Sequence, residues 1–116
     1  MATLTVAAAS RLGVELIAGA QACAVAGDEF DNTGQEIVFL TNAGGAPVVV
    51  TFNVQATADD QQHLAITNRT VTVDAASSYA IGPFGKALYN DANGRVQIRY
   101  ASVADLFVKI LKATPA

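Results

Sequence analysis

Tryptophan is absent from this 116-residue chain, cysteine and histidine occur once each, and proline three times. A single Cys23 cannot close an internal bridge, which excludes a disulfide-stapled framework. His63 is the sole imidazole, so any Ser-His-Asp or Cys-His relay would have to run through it. It follows Asp59-Asp60-Gln61-Gln62 in a polar stretch suited to a loop, and we expect an exposed loop histidine rather than a general base. Charge is scarce as well: 15% of residues are charged, against about 25% in ordinary soluble domains, so the surface should be largely neutral. No run approaches the roughly 20 uninterrupted apolar residues of a membrane-spanning helix, and no membrane partner is expected. Repeats, linker-like composition and low-complexity tracts are also missing. These absences leave little material for chemistry, and we expect no enzyme and no cofactor.

What is present suits a packed domain. Val, Ile, Leu and Phe total 32 residues and Ala another 23, enough apolar material to offset the ordering entropy and exclude disorder of the whole. At 11.9 kDa one domain is expected. A monomer of that mass exposes about 6,000 Å² of the roughly 17,000 Å² of its extended chain. The net charge of −3 and the pI near 4.8 argue against general attraction to nucleic acid. Charge is unevenly spread along the chain. Residues 1–85 hold two bases and eight acids, a net of −6, whereas residues 86–116 hold five bases and two acids, a net of +3. The basic end, with Arg95 and Arg99, reads either as solvated strand surface or as a docking face for an acidic protein partner.

From Glu36 onward the hydrophobic period is two, the signature of half-buried strands. Glu36-Ile37-Val38-Phe39-Leu40-Thr41 ends at Asn42-Ala43-Gly44-Gly45, and Val48, Val50, Phe52 and Val54 then share one face of the next strand. The spacing predicts that these two strands form a hairpin. Residues 55–62 are polar and are expected to be a loop. Arg69-Thr70-Val71-Thr72-Val73-Asp74 and Tyr79-Ala80-Ile81-Gly82-Pro83-Phe84 are expected to be a second strand pair. Asn90-Asp91-Ala92-Asn93-Gly94 is the strongest turn, because Asn-Gly accepts left-handed backbone at low cost. It leads into Arg95-Val96-Gln97-Ile98-Arg99-Tyr100, with Val96, Ile98 and Tyr100 toward the core and Arg95, Gln97 and Arg99 outward. In the last strand, 105–112, Leu106, Val108 and Ile110 face one way and Phe107, Lys109 and Leu111 the other, so both faces should be covered. Residues 1–25 are read as an N-terminal arm or first strand with no secretory signal, since Glu15 interrupts the apolar run and the first ten residues lack a base. The chain is therefore expected to be all-β. We read it as a single-domain antiparallel β-sandwich over 26–116, plain or wound as a jelly roll, with an N-terminal arm.

Each chemically suggestive residue has a plainer reading. Cys23 lies among alanines and is expected to be a small buried hydrophobe. Asp91-Ala92-Asn93-Gly94 resembles part of a calcium loop but lacks the spaced acids and terminal Glu. Asp28-Glu29-Phe30-Asp31-Asn32 would need Asp59-Asp60 beside it to hold a cation, and no metal site is expected. Gly44-Gly45 is a turn rather than a phosphate loop, and Asn68-Arg69-Thr70 is a sequon without a secretory context.

Two stretches carry a resemblance. One is Ala26-Gly27-Asp28-Glu29-Phe30-Asp31-Asn32-Thr33-Gly34-Gln35-Glu36, running on to Asn42-Ala43-Gly44-Gly45 and Val49-Val50-Thr51. The other is Ile81-Gly82-Pro83-Phe84, then Tyr89-Asn90-Asp91-Ala92-Asn93-Gly94-Arg95-Val96-Gln97-Ile98, ending in Tyr100-Ala101-Ser102. They are similar to stretches of the small β-rich head decoration, or cement, proteins of tailed bacteriophages. The resemblance implies a compact β-sandwich on the outer capsid surface of a virion, bound to the major capsid protein between capsomers and assembled as a homotrimer. On that reading Leu4, Val6, Leu12, Leu16 and Ile17 are expected to form the arm that contacts capsid or a neighbouring subunit, with Arg95 and Arg99 as further interface residues. The alternative expectation is a glycan- or host-surface-binding sandwich presenting loops near Asp59, Asp60 and His63.

Overall fold

A computed structural model describes residues 2–8, 20–55, 57–59, 64–65 and 68–112. In chain order the strands are β1 (Ala2–Thr3), β2 (Val6–Ala8), β3 (Gln21–Ala22), β4 (Asp28–Asp31), β5 (Glu36–Asn42), β6 (Val48–Phe52), β7 (Thr57–Asp59), β8 (Leu64–Ala65), β9 (Arg69–Val73), β10 (Ser77–Ile81), β11 (Arg95–Tyr100) and β12 (Leu106–Lys112). Among the described residues one short helix, α1 (Lys86–Tyr89), precedes β11. Sheet one runs β1-β4-β11-β6-β9. Sheet two runs β10-β5-β12-β2, with β3 also on β12, and β7 pairs with β8 as a separate ribbon. The expected all-β, two-sheet sandwich is the observed architecture.

Alternation places the core between the sheets. Phe30, Val50, Phe52, Val96 and Ile98 of sheet one meet Val38, Leu40, Val108 and Ile110 of sheet two, all at 0% exposure. Each such side chain contributes about 1.5–3 kcal/mol through removal from water. Phe84 closes one end: its ring lies 4.8 Å from Phe52, and Phe30 and Tyr89 approach it edge-on at 6.0 and 5.1 Å. Aromatic pairs at these separations add attraction beyond area burial.

Two expected pairings are corrected. β5 and β6 do not form a hairpin: β5 pairs with β10 and β12, whereas β6 pairs with β9 and β11 in the opposite sheet. The reason is Asn42, which is 1% exposed. Its Nδ2 donates to the carbonyls of Ala46 (2.8 Å) and Val73 (3.1 Å) while its Oδ1 accepts from the Gly44 N–H (3.0 Å). That set of bonds bends the chain across the core instead of back along its own sheet. Alternation is identical in either geometry, because both turn one face of each strand inward. Likewise β9 and β10 lie in opposite sheets. The predicted strand over 79–84 ends at Ile81, before a cis Gly82-Pro83 bond, and Phe84 turns into the core. The stretch 55–62, expected to be a loop, contains β7.

The first 25 residues are built into the sandwich wherever they are described. β1 lies parallel to β4 in sheet one and β2 parallel to β12 in sheet two, with Leu4, 4% exposed, packed between them. The Leu4 N–H donates to the Glu29 carbonyl at 2.7 Å. Residues 2–8 thus tie both sheets together along one edge. β12 is covered on its inner face, but its outer face is covered only in part, since Leu111 is buried and Phe107 is exposed.

Candidate functional surfaces

The outward face of sheet one is polar and bonded within itself. Cross-strand pairing sets Arg95 opposite Asp31 and Gln97 opposite Glu29. Arg95 donates Nε to Asp31 Oδ1 at 2.9 Å and Nη1 to Glu29 Oε2 at 2.7 Å, and those two carboxylates raise the guanidinium pKa above its ordinary value. Gln97 donates to Asp91 Oδ2 at 2.5 Å, and Asp91 Oδ1 accepts the Asn93 and Arg95 N–H groups. Burial pushes the Asp91 carboxyl up, but these donors and the Arg95 charge outweigh it and hold the group below its usual range. Arg99 donates to the Ala26 carbonyl. Farther across, Thr51 stands beside Arg99 and Thr70, and the half-exposed Val49 beside Thr72.

The outward face of sheet two is of the opposite kind. The register sets Phe107 beside Thr41 and Ala22, Phe39 beside Lys109 and Ala80, and Ile37 beside Leu111, which in turn meets Ala7. Phe107 is 37% exposed and Ala80 and Ala22 are exposed, so a largely apolar surface lies outside a core that is already complete beneath it. Such a surface on a small domain is the usual mark of a contact site.

The two stretches that carry the resemblance meet at one buried junction. Asn32, 5% exposed, donates to the Phe84 carbonyl at 3.0 Å and to Asn90 Oδ1 at 2.7 Å. Asn90 returns a bond to the Asn32 carbonyl at 3.1 Å. The buried Glu36 carboxylate accepts from the Thr33 N–H (2.7 Å) and hydroxyl and from the Gln35 N–H (3.1 Å). Asp28, at 0% exposure, accepts from the Tyr100 hydroxyl at 2.8 Å and the Ala24 N–H at 3.2 Å through Oδ2, and its Oδ1 has no protein partner. Beside them Cys23 is buried, and loss of water pushes its thiol pKa up to about 12, so it stays neutral and unreactive near neutral pH. Burial likewise raises the Tyr100 phenol. This arrangement positions backbone; it presents no nucleophile to solvent.

The residues singled out in the sequence fall in several places. Leu4 is a core residue, so its side chain is not free for an outside partner, and Val6 is half-buried against the same core. Leu12, Leu16 and Ile17 lie outside the described residues, as do the side chains of Asp59, Asp60 and His63. Arg95 and Arg99 face outward as expected, but both hold partners on their own sheet. The basic end is dispersed, with Lys86 in α1, Arg95 and Arg99 in β11 and Lys109 and Lys112 in β12. Glu29 and Asp31 turn toward Arg95, Asp28 turns inward, and among the described residues no three metal-ligating side chains converge. No helix among them is long and apolar enough to cross a membrane. The double-sided hydrophobicity of 106–111 pointed to surface in need of cover, but not to Ile37 and Phe39 of β5 as the side chains that extend it, because that needs the pairing of β5 with β12. Against known protein families, curated proteins and solved structures, the chain finds no match.

Proposed function

We infer that this chain is a structural virion protein that decorates the outside of a bacteriophage capsid by binding between capsomers. The observation that carries the reading is the apolar outer face of sheet two, around Phe39, Phe107 and Ile37, lying outside a finished core. A neighbour is the natural cover for such a face. The resemblance of 26–51 and 81–102 to head decoration proteins supplies the kind of neighbour: the major capsid protein, and further copies of the chain in a homotrimer. The strand order is in keeping with it. β4-β11-β6-β9 in one sheet and β5 beside β10 in the other favour the jelly-roll form of the sandwich, with β7 and β8 paired to each other among the described residues.

The mechanism is mechanical. Each copy covers an area on the order of 800 Å² per partner, as in a standard specific interface. Many copies then bind the assembled shell and not its free subunits, which shifts the assembly equilibrium toward the closed shell by mass action. A trimer engaging several capsomers at once adds avidity through high effective concentration. The test is quantitative composition of virions whose genome carries the gene. The chain should be present at a copy number comparable to the major capsid protein, and heads lacking it should open at lower temperature. Virions that contain none of it would sink the reading.

A further inference from the structure

The two edges of the sandwich are unlike. At one, residues 2–8 span both sheets and Leu4 fills the gap. At the other, β9 ends sheet one and β10 ends sheet two, and no described strand pairs with the outer side of either. Between them opens a cleft of about 600 Å³, a volume within the range of ligand-binding clefts. Val71 and Arg69 line it from β9 and Tyr79 and Ile81 from β10, with Phe84 and Tyr89 at its floor. Leu88, 41% exposed, forms the rim.

Arg69 is the one charged side chain among the described residues that line it, in a wall that mixes apolar side chains with tyrosine hydroxyls and backbone groups. Its Nε donates to the Tyr89 hydroxyl at 3.1 Å, which fixes the guanidinium at the cleft, and its two terminal nitrogens have no partner among the described residues. Tyr79 turns its hydroxyl to Asp74 at 2.8 Å, leaving its ring to the cleft wall.

We propose that this cleft receives an extended segment of a partner protein, which adds as a strand beside β10, sets apolar side chains against Ile81, Phe84 and Leu88, and gives a carboxylate to Arg69. Strand addition supplies backbone bonds to an open edge, and alternate side chains supply the selectivity. A carboxylate matches the forked guanidinium donors. The proposal is independent of the capsid reading, because it rests on an edge that no described strand covers, on the apolar side chains of Ile81, Phe84 and Leu88, and on Arg69 held by Tyr89.

The test uses the full chain, isotope-labelled for nuclear magnetic resonance, and a blocked hexapeptide of alternating valine and threonine ending in aspartate. The expected result is saturable shifts of the backbone amides of Ser77–Ile81 and of residues 69–71. An otherwise identical peptide ending in asparagine should bind at least about fivefold more weakly, and R69Q should abolish that difference while leaving the free protein's spectrum otherwise in place. Equal binding of the two peptides, absence of shifts in β10, or no binding would each overturn the proposal. So would octanoate reproducing the full pattern, since a small amphiphile would then be the occupant.

Discussion

The outer faces of the two sheets present the same backbone to the same solvent, yet one is chemically closed and the other is not. On sheet one, Arg95, Gln97 and Arg99 project outward, and each finds an acceptor on its own sheet or an adjoining turn. On sheet two, Phe39, Phe107 and Ile37 occupy the equivalent positions, with Thr41 and Ser78 hydrogen-bonded beside them at 3.1 Å. A polar face whose groups bond one another gives little to a partner, because a newcomer must first break those bonds. An apolar face gains simply by leaving water. Charge therefore marks the face with less to offer, which favours solvated strand surface over a docking face as the reading of Arg95 and Arg99.

The largest expected effect strikes both faces at once. Phe52→Ala removes a fully buried ring that stacks on Phe84, and it should cost about 3–5 kcal/mol in a single denaturant transition. Two separate transitions would mean that the sheets are not one cooperative unit. Next, Asn32→Ala strips donors from the Phe84 carbonyl and Asn90 Oδ1 and leaves both acceptors partly buried. A loss of about 1–3 kcal/mol is expected with an unchanged denaturant slope, and a neutral outcome would show that the junction tolerates disconnection. Phe107→Lys addresses the contrast directly: stability should stay within about 0.5 kcal/mol, while self-association or capsid binding, read by sedimentation, should fall at least about tenfold. Unaltered association would remove sheet two as the contact face.

The smallest effect belongs to the polar face. Asp91 sits below its ordinary value of 3.8 because donors from Arg95, Gln97 and Asn93 outweigh the opposing effect of burial. A carboxyl depressed in the folded state contributes stability above its unfolded pKa and loses it as pH falls through the folded one. Melting temperature should thus be insensitive to Asp91 above about pH 5 and should drop below pH 4. Asp91→Asn, which cannot accept from Gln97 at the second oxygen, should flatten that acid limb. Parallel acid limbs in parent and variant would assign the drop to other carboxylates.

How much of this was legible beforehand depends on the kind of interaction. The strands at 36–42, 48–52, 69–73, 95–100 and 106–112 were readable because a period of two is a local property of a half-buried chain. The turn at Asn93-Gly94 was readable for the same reason: Gly94 adopts a φ of 75° that side-chain-bearing residues disfavour. Strand partners were not readable. The bonds of Asn42 to Ala46 and Val73 send β6 to the other sheet, and one of them spans 31 residues. Asn32 and Asn90, 58 apart, likewise looked like ordinary turn residues until the fold placed them in contact. On the sites, Cys23 was correctly read as a buried hydrophobe, but Leu4 drew notice as arm material when it is a core residue. The cleft at Arg69 left no mark in the sequence, because its walls come from strands of different sheets.

The amino-acid order determined that this chain is β-rich, which side chains turn inward, and where Asn-Gly and Gly-Gly permit the backbone to reverse. Those properties depend on neighbours within a few residues and on transfer from water. Tertiary structure alone decided which strands are adjacent, that one outer face is bonded to itself and the other left apolar, and that one edge is closed by residues 2–8 while the other, among the described residues, opens on Arg69. Each of these depends on distant backbone segments meeting, and periodicity does not distinguish a strand returning to its own sheet from one crossing to the opposite sheet.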